Sequence, residues 1–249
     1  MKQLISVTAD QMEEIERLAI YNYGFQITQI VENAGRALAR VCRILSDGSV
    51  ESRDIVVLAG DGKNAGGGLA AARNLHNWGA NIRVVLVAHE GSLKRSALTQ
   101  LNILKSMDLP IESGDRLNLA YLSKFDFIID AILGYSAKGA PASEFASAIA
   151  TANRAKRPII SLDVPSGLDA TTGQVHDACI KASATIALAL PKEGTLTDTA
   201  TEYVGALWLA DIGIPPEAYA QLGLSGDNPF IDDDLVLLRR QERAIGITA

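Results

Sequence analysis

The chain has 249 residues, 48% of them hydrophobic, and 23 basic residues against 29 acidic ones leave a net charge of −6. This is apolar material for one α/β domain of ordinary size or two small ones. An acidic balance without basic clusters argues against nucleic acid or an anionic membrane as partner. The N-terminus MKQLISVTADQ lacks the apolar core of a signal peptide, and apolar runs such as Ala182–Leu190 are too short to span a bilayer. Cys42 and Cys179 stand far apart with no CxxC spacing, which indicates neither a zinc site nor a disulfide framework. A reduced, cytoplasmic setting is expected.

In chain order, Thr8 to Gln11 has the spacing of a helix capping box. Met12, Ile15, Leu18 and Ala19 then recur at helical spacing. A second helical pattern runs from about Thr28 to Leu45. From there strands and helices alternate. Apolar strands are predicted at Ile55–Ala59, Ile82–Ala88, Phe125–Ile129, Pro158–Val164, Ala184–Leu190 and Gly205–Leu209. Helices are predicted at Gly68–Trp78, Leu93–Met107 and Ser143–Lys156, with a helical turn after Pro215. Fully apolar strands alternating with helices predict an α/β fold with a mostly parallel sheet covered on both faces. The chain reads as a single domain: N-terminal helices over 8–47, an α/β core over 54–215 and a tail over 216–249. From Asp232 that tail is read as a docking helix or a partly disordered stretch.

Polar residues collect at the strand ends, where open parallel sheets bind ligands. The first strand runs into GDGKNAGGG over 60–68, and this glycine-dense turn before a helix predicts a backbone nest for an anion. Gly60, Gly62, Gly66, Gly67 and Gly68 are expected to take positive φ or to let a ligand approach closely. The third strand runs into Asp130 and then Gly134–Gly139, the fourth into DVPSGLD over 163–169, and the fifth into Pro191 and Lys192. Four such ends predict one crevice. Asp130 and Asp163 fit acid/base work, a cation, or the capping of a turn. Ser166 is not in a G-x-S-x-G elbow and fits a hydroxyl ligand or a turn cap. Lys138 and Lys192 are either solvated or phosphate contacts. His76, His89 and His176 have no partners at metal-ligand spacing and read as structural or exposed. The glycine pattern is neither a Walker A nor a G-x-G-x-x-G fingerprint.

With these segments in order, the chain resembles the NAD(P)H-hydrate epimerase family, the YjeF N-terminal domain, from about residue 8 to 215. The resemblance is carried by VENAG over 31–35, the turn 60–68 followed by Ala71 to Arg73, DAILG over 130–134, DVPSGLD over 163–169, and Pro191–Lys192. It implies a three-layer α/β/α Rossmann-like domain that binds a hydrated nicotinamide dinucleotide and interconverts its R and S epimers at C6 of the ring. It implies substrate contacts from Lys63, Asn64, Ala65, Gly66, Gly67, Gly134, Tyr135, Ser136, Ala137, Lys138, Gly139, Ala140 and Asp163, with Asp163 as the catalytic acid/base. It also implies a potassium ion held by Asn64, Asp130 and Ser166, a homodimer through the N-terminal helices, and a separate-chain dehydratase partner. Oxygen ligands suit such a hard cation. The family turn usually reads G-x-G-N-N-G-G-D-G, so Lys63, Ala65 and Gly67 depart from it. On that departure rests a second reading, a nucleotide-binding or dimerising scaffold that kept the pocket and lost the chemistry.

Overall fold

The computed structural model describes residues 4–241 and 244–247. Two helices open the fold, α1 (Ala9–Tyr21) and α2 (Ile27–Leu45). Thr8 caps α1 in the predicted box, its hydroxyl accepting the Gln11 N–H while the Gln11 side chain accepts the Thr8 N–H. Then follow β1 (Asp54–Ala59), α3 (Lys63–Asn77), β2 (Asn81–Leu86), α4 (Arg95–Ser106), β3 (Ile111–Ser113), α5 (Leu119–Leu122) and β4 (Phe127–Ala131). The second half comprises α6 (Ser143–Arg154), β5 (Ile159–Leu162), β6 (Ala184–Leu188), α7 (Thr201–Val204), β7 (Ala206–Ala210), α8 (Pro216–Ala220), β8 (Leu235–Gln241) and β9 (Ala244–Ile247).

Among the described residues the strands form one nine-stranded sheet in the order β3-β2-β1-β4-β5-β6-β7-β8-β9. Pairing is parallel from β3 to β7 and antiparallel for β8 and β9. Side chains alternate across the pleat. Ile55, Val57, Ile129 and Leu162 pack on the face covered by α1 to α4. Val56, Leu58, Val85 and Ile128 pack on the face covered by α5 and α6. With both faces covered, the central strands are apolar throughout, as expected of parallel sheets. The strand order reverses between β1 and β4, and this switch point opens a crevice at their carboxyl ends.

Three expectations need correction. The helix after β1 begins at Lys63, so Gly66, Gly67 and Gly68 lie inside it. None of the turn glycines has positive φ. They serve close packing instead: a Cβ on Gly60 would lie 2.0 Å from the Ile132 carbonyl oxygen, and one on Gly68 would lie 2.3 Å from Ala131 Cβ. Among the described residues, the tail after Asp232 forms strands and not a docking helix or a disordered stretch: β8 extends the sheet edge by pairing with β7. The short β3 and α5 were not foreseen, as their apolar content is too small to show periodicity.

The VENAG segment on α2 explains how the helical layer is locked. Glu32 accepts from Arg73 and, at 2.7 Å, from Gln100 Nε2. Asn33 donates to the Ile212 carbonyl at 3.0 Å. Gly35 is where α2 and α3 touch, since a Cβ there would lie 2.5 Å from Ala70 Cβ and 2.7 Å from the Gly67 oxygen. Only glycine permits that crossing.

Candidate active site

The crevice is walled by the loops after β1 and β4, by the ends of β5 and β6, and by α1 and α2. Asp61 and Gly62 come from the first loop and Lys63 and Asn64 from the start of α3, Ile132 to Ala137 from the second loop, and Leu162, Asp163 and Lys192 from the floor. Glu16 of α1 and Val31 and Ala34 of α2 close the remaining side.

Asp163 directly follows β5 and has φ +70°, a left-handed conformation uncommon for a residue with a side chain. Such strain persists where surrounding bonds over-determine it. Here Asp163 N–H donates to the Ile186 carbonyl at 2.7 Å and Tyr135 N–H donates to Asp163 Oδ2 at 2.8 Å. The Lys192 ammonium lies 2.6 Å from Oδ1, with both side chains almost wholly buried. Lys192 Nζ also donates to the Leu188 carbonyl at 2.9 Å. The result is a desolvated carboxylate–ammonium pair whose geometry is fixed from three sides. A buried pair of this kind needs further hydrogen bonds to offset the loss of water, and it has them.

Tyr135 stands across this pair. Its hydroxyl donates to Glu16 Oε2 at 2.7 Å, and its ring lies 5.4 Å from Lys192 Nζ and 5.7 Å from Lys63 Nζ. Burial first, then the Glu16 carboxylate, pushes the Tyr135 hydroxyl far above its ordinary range, so it remains a neutral donor.

Beneath the crevice Asp130 is fully buried. Its Oδ2 accepts from Ser161 Oγ at 2.8 Å and Ser166 N–H at 2.9 Å, and its Oδ1 accepts from Ser166 Oγ at 2.6 Å and Ile132 N–H at 3.3 Å. Burial raises its pKa and outweighs the hydrogen bonds, which pull the other way. Ser166 Oγ accepts from Leu133 N–H at 2.9 Å, and Asn64 Nδ2 donates to the Leu133 carbonyl at 2.8 Å. Asn64, Asp130 and Ser166 therefore gather around the backbone of Ile132 and Leu133 in the β4 loop.

Residues 27–194, more than half of the chain, match the family described as YjeF-related protein N-terminus. The chain belongs to this family. Among its relatives is the NAD(P)H-hydrate epimerase of Dehalogenimonas lykanthroporepellens, 38% identical over 240 residues that cover 95% of this chain and 94% of that one. The bifunctional NAD(P)H-hydrate repair enzyme Nnr of Moorella thermoacetica is 36% identical over 86% of this chain, which spans only 41% of that protein's length. The crystal structure of yeast YNL200c superposes with a TM-score of 0.82 at 25% identity, covering 94% of this chain and all of the other.

Within this YjeF-type domain the site residues read from the sequence divide into two groups. Lys63, Asn64, Gly134, Tyr135, Ser136, Ala137 and Asp163 line the crevice. Ala65, Gly66 and Gly67 are buried in α3 and do not line it, Gly66 lying against Val31 and Gly67 against Leu162. Lys138, with its side chain 79% exposed, pairs with Asp10 at 3.6 Å outside the crevice, and Gly139 and Ala140 continue away from it. Asp130 and Ser166 sit below the floor. Asp130 lies within β4 and not beyond it, so its carboxylate cannot touch a molecule in the crevice directly.

One residue changed meaning. Lys192, read as solvated or as a phosphate contact, is the buried partner of Asp163. Glu16 of α1 belongs to no motif in the sequence, yet it lines the crevice and accepts from Tyr135. Its only signal was its place within the apolar stripe Met12, Ile15, Ala19, where a carboxylate is costly. The histidines are ordinary, with His76 and His89 exposed and His176 half-buried. Burial pushes both cysteine thiols up to about 12, which leaves them unreactive.

Proposed function

We infer that this chain is an NAD(P)H-hydrate epimerase, an isomerase that interconverts the R and S forms of hydrated NADH and NADPH in metabolite repair. Family membership supports the activity. The observation that carries the chemistry is the Asp163 carboxylate, held on the crevice floor 2.6 Å from the Lys192 ammonium and 2.8 Å from the Tyr135 N–H. A general base must be held at a fixed position, and the contacts to Lys192 and the Tyr135 N–H hold this one.

In the ion pair Asp163 starts as a base. It takes the proton of the C6 hydroxyl while the C6–N1 bond breaks, its electron pair going to N1 and into conjugation with the ring carboxamide. C6 becomes an aldehyde, and rotation about C5–C6 presents its other face. N1 then re-adds to C6, and Asp163 returns the proton to the new hydroxyl. One carboxylate serves both directions, and no atom is gained or lost. Lys192 holds the carboxylate in place and balances its charge, and Tyr135 shields the pair from bulk water.

The residues beneath the floor fit a potassium ion. Asp130 is a buried carboxylate whose bonded partners are neutral groups, so a monovalent cation would compensate its charge. Asn64, with its amide turned, Ser166 and Asp130 would supply the oxygens. Bound there, the ion would hold the β4 loop that carries Tyr135. The exposed Tyr21, Tyr23 and Ile27 at the α1–α2 junction support a homodimer through these helices. We further infer a cytoplasmic enzyme that works with an NAD(P)H-hydrate dehydratase. Among the described residues no helix is long and apolar enough to cross a membrane.

The direct test supplies pure R-hydrate and excess S-specific dehydratase, and follows the return of NADH absorbance. Acceleration over the uncatalysed rate, lost in Asp163→Asn, is the expected result; an unaccelerated reaction refutes the assignment. A silent scaffold is not favoured, because Asp163, Lys192 and Tyr135 remain assembled around an open crevice.

A further inference from the structure

Glu16 plays no part in the steps above, yet it is a buried carboxylate in the wall of the same crevice, only 6% exposed. Both of its oxygens are engaged. Oε2 accepts the Tyr135 hydroxyl at 2.7 Å, and Oε1 accepts from Lys63 Nζ at 2.7 Å. Tyr135 in turn gives its N–H to Asp163. A chain of two contacts therefore runs from α1 to the carboxylate that does the chemistry. The other contact reaches a lysine at the first position of α3, whose side chain is still 40% exposed. The helix carrying Glu16 is anchored at the reaction end. Val7 N–H donates to the Pro191 carbonyl at 3.0 Å and Glu193 N–H donates to the Val7 carbonyl at 2.9 Å, on either side of Lys192.

We propose that Glu16 is a positioning residue that acts on both ends of the substrate. Through Tyr135 it fixes the rim of the site and hence the aim of Asp163. Through Lys63 it holds a cation in reserve at the β1–α3 corner, to be shared with the substrate's diphosphate when that arrives. The diphosphate must compete with Glu16 for Lys63, so Glu16 sharpens the chemistry while weakening ground-state binding. This rests on the epimerase reading of the crevice.

The test compares Glu16→Gln, Glu16→Ala and Tyr135→Phe by kcat and KM for the hydrate, together with calorimetric binding of ADP-ribose, which carries the diphosphate but no reacting ring. Glu16→Ala and Tyr135→Phe each lower kcat about ten-fold, the worth of one charge-assisted hydrogen bond, and the double variant is no worse than either. Glu16→Gln keeps an acceptor for Tyr135 and recovers most of that kcat, while releasing Lys63. Its KM and its ADP-ribose dissociation constant fall about three- to ten-fold, and the binding becomes more salt-dependent. If the Glu16 variants lose only thermal stability, with kcat, KM and ADP-ribose affinity as in the parent, Glu16 merely holds α1 and the proposal is wrong. Should Glu16→Ala fail to fold, unchanged affinity in Glu16→Gln together with unchanged kcat in Tyr135→Phe overturns it equally. A parent chain that binds ADP-ribose but turns over no hydrate defeats the epimerase reading, and the ADP-ribose measurement still decides the Lys63 half.

Discussion

Replacing Lys192 by Met removes the ammonium while nearly keeping the side-chain volume, so the effect is electrostatic and not a cavity. The Lys192 side chain is 0% exposed and that of Asp163 3%, with 2.6 Å between the charges. The orphaned carboxylate keeps the Tyr135 N–H but has no cation, and such truncation of a buried pair costs about 3–5 kcal/mol. For a domain of this size each kcal/mol lowers Tm by roughly 2–4 °C, which gives a fall of about 6–20 °C near neutral pH. Asp163→Asn strands Lys192 in the same way at similar cost, and Asn tolerates the left-handed φ of +70° that Asp163 adopts. The double variant removes both charges and should recover most of the loss. A cycle measured by thermal and urea unfolding should therefore give a coupling of ~3 kcal/mol or more. All three variants should be inactive, including the double one with its stability restored. Single-variant losses that simply add within about 0.5 kcal/mol would refute the claim that the pair is one buried electrostatic unit.

Gly35→Ala should destabilise by about 1–3 kcal/mol, read by urea denaturation, because its Cβ meets Ala70 Cβ at 2.5 Å and the gain in helix propensity is smaller than the overpacking. Asp130 has a folded-state pKa raised by burial, so its contribution to stability is greatest in acid, where it is protonated. That contribution is lost as pH rises from the unfolded carboxylate value through the raised folded one. In potassium-free buffer, Asp130→Asn should flatten that part of the stability–pH curve, whatever constant offset the substitution adds; an unchanged curve shape would count against the assignment. Potassium chloride in place of choline chloride should raise Tm of the parent near neutral pH by the binding linkage, about 2.7 kcal/mol at a hundred-fold excess over Kd, and should not raise that of Asp130→Asn.

The layered α/β order was legible because the central strands are buried on both faces and so read as unbroken apolar runs, while α2 keeps a clean amphipathic stripe. The α1 cap was legible because its chemistry is local, spanning Thr8 to Gln11. The crevice was legible too, since parallel sheets bind ligands at their carboxyl ends and the polar residues of four strands fall there. The glycines of 60–68 misled for a physical reason. A glycine run looks the same in sequence whether it frees a loop or lets a helix lie against a strand, and only the structure, where a Cβ on Gly68 would lie 2.3 Å from Ala131 Cβ, tells the two apart. The tail misled because an antiparallel edge strand is defined by the neighbour it pairs with, here β7. The amino-acid order thus determined which residues collect at the sheet's upper rim. Tertiary structure alone decided their partners. Lys192 joins Asp163 across 29 residues of chain and Glu16 joins Tyr135 across 119, and a charge buried in the interior is defined by what it meets there, not by its neighbours in sequence.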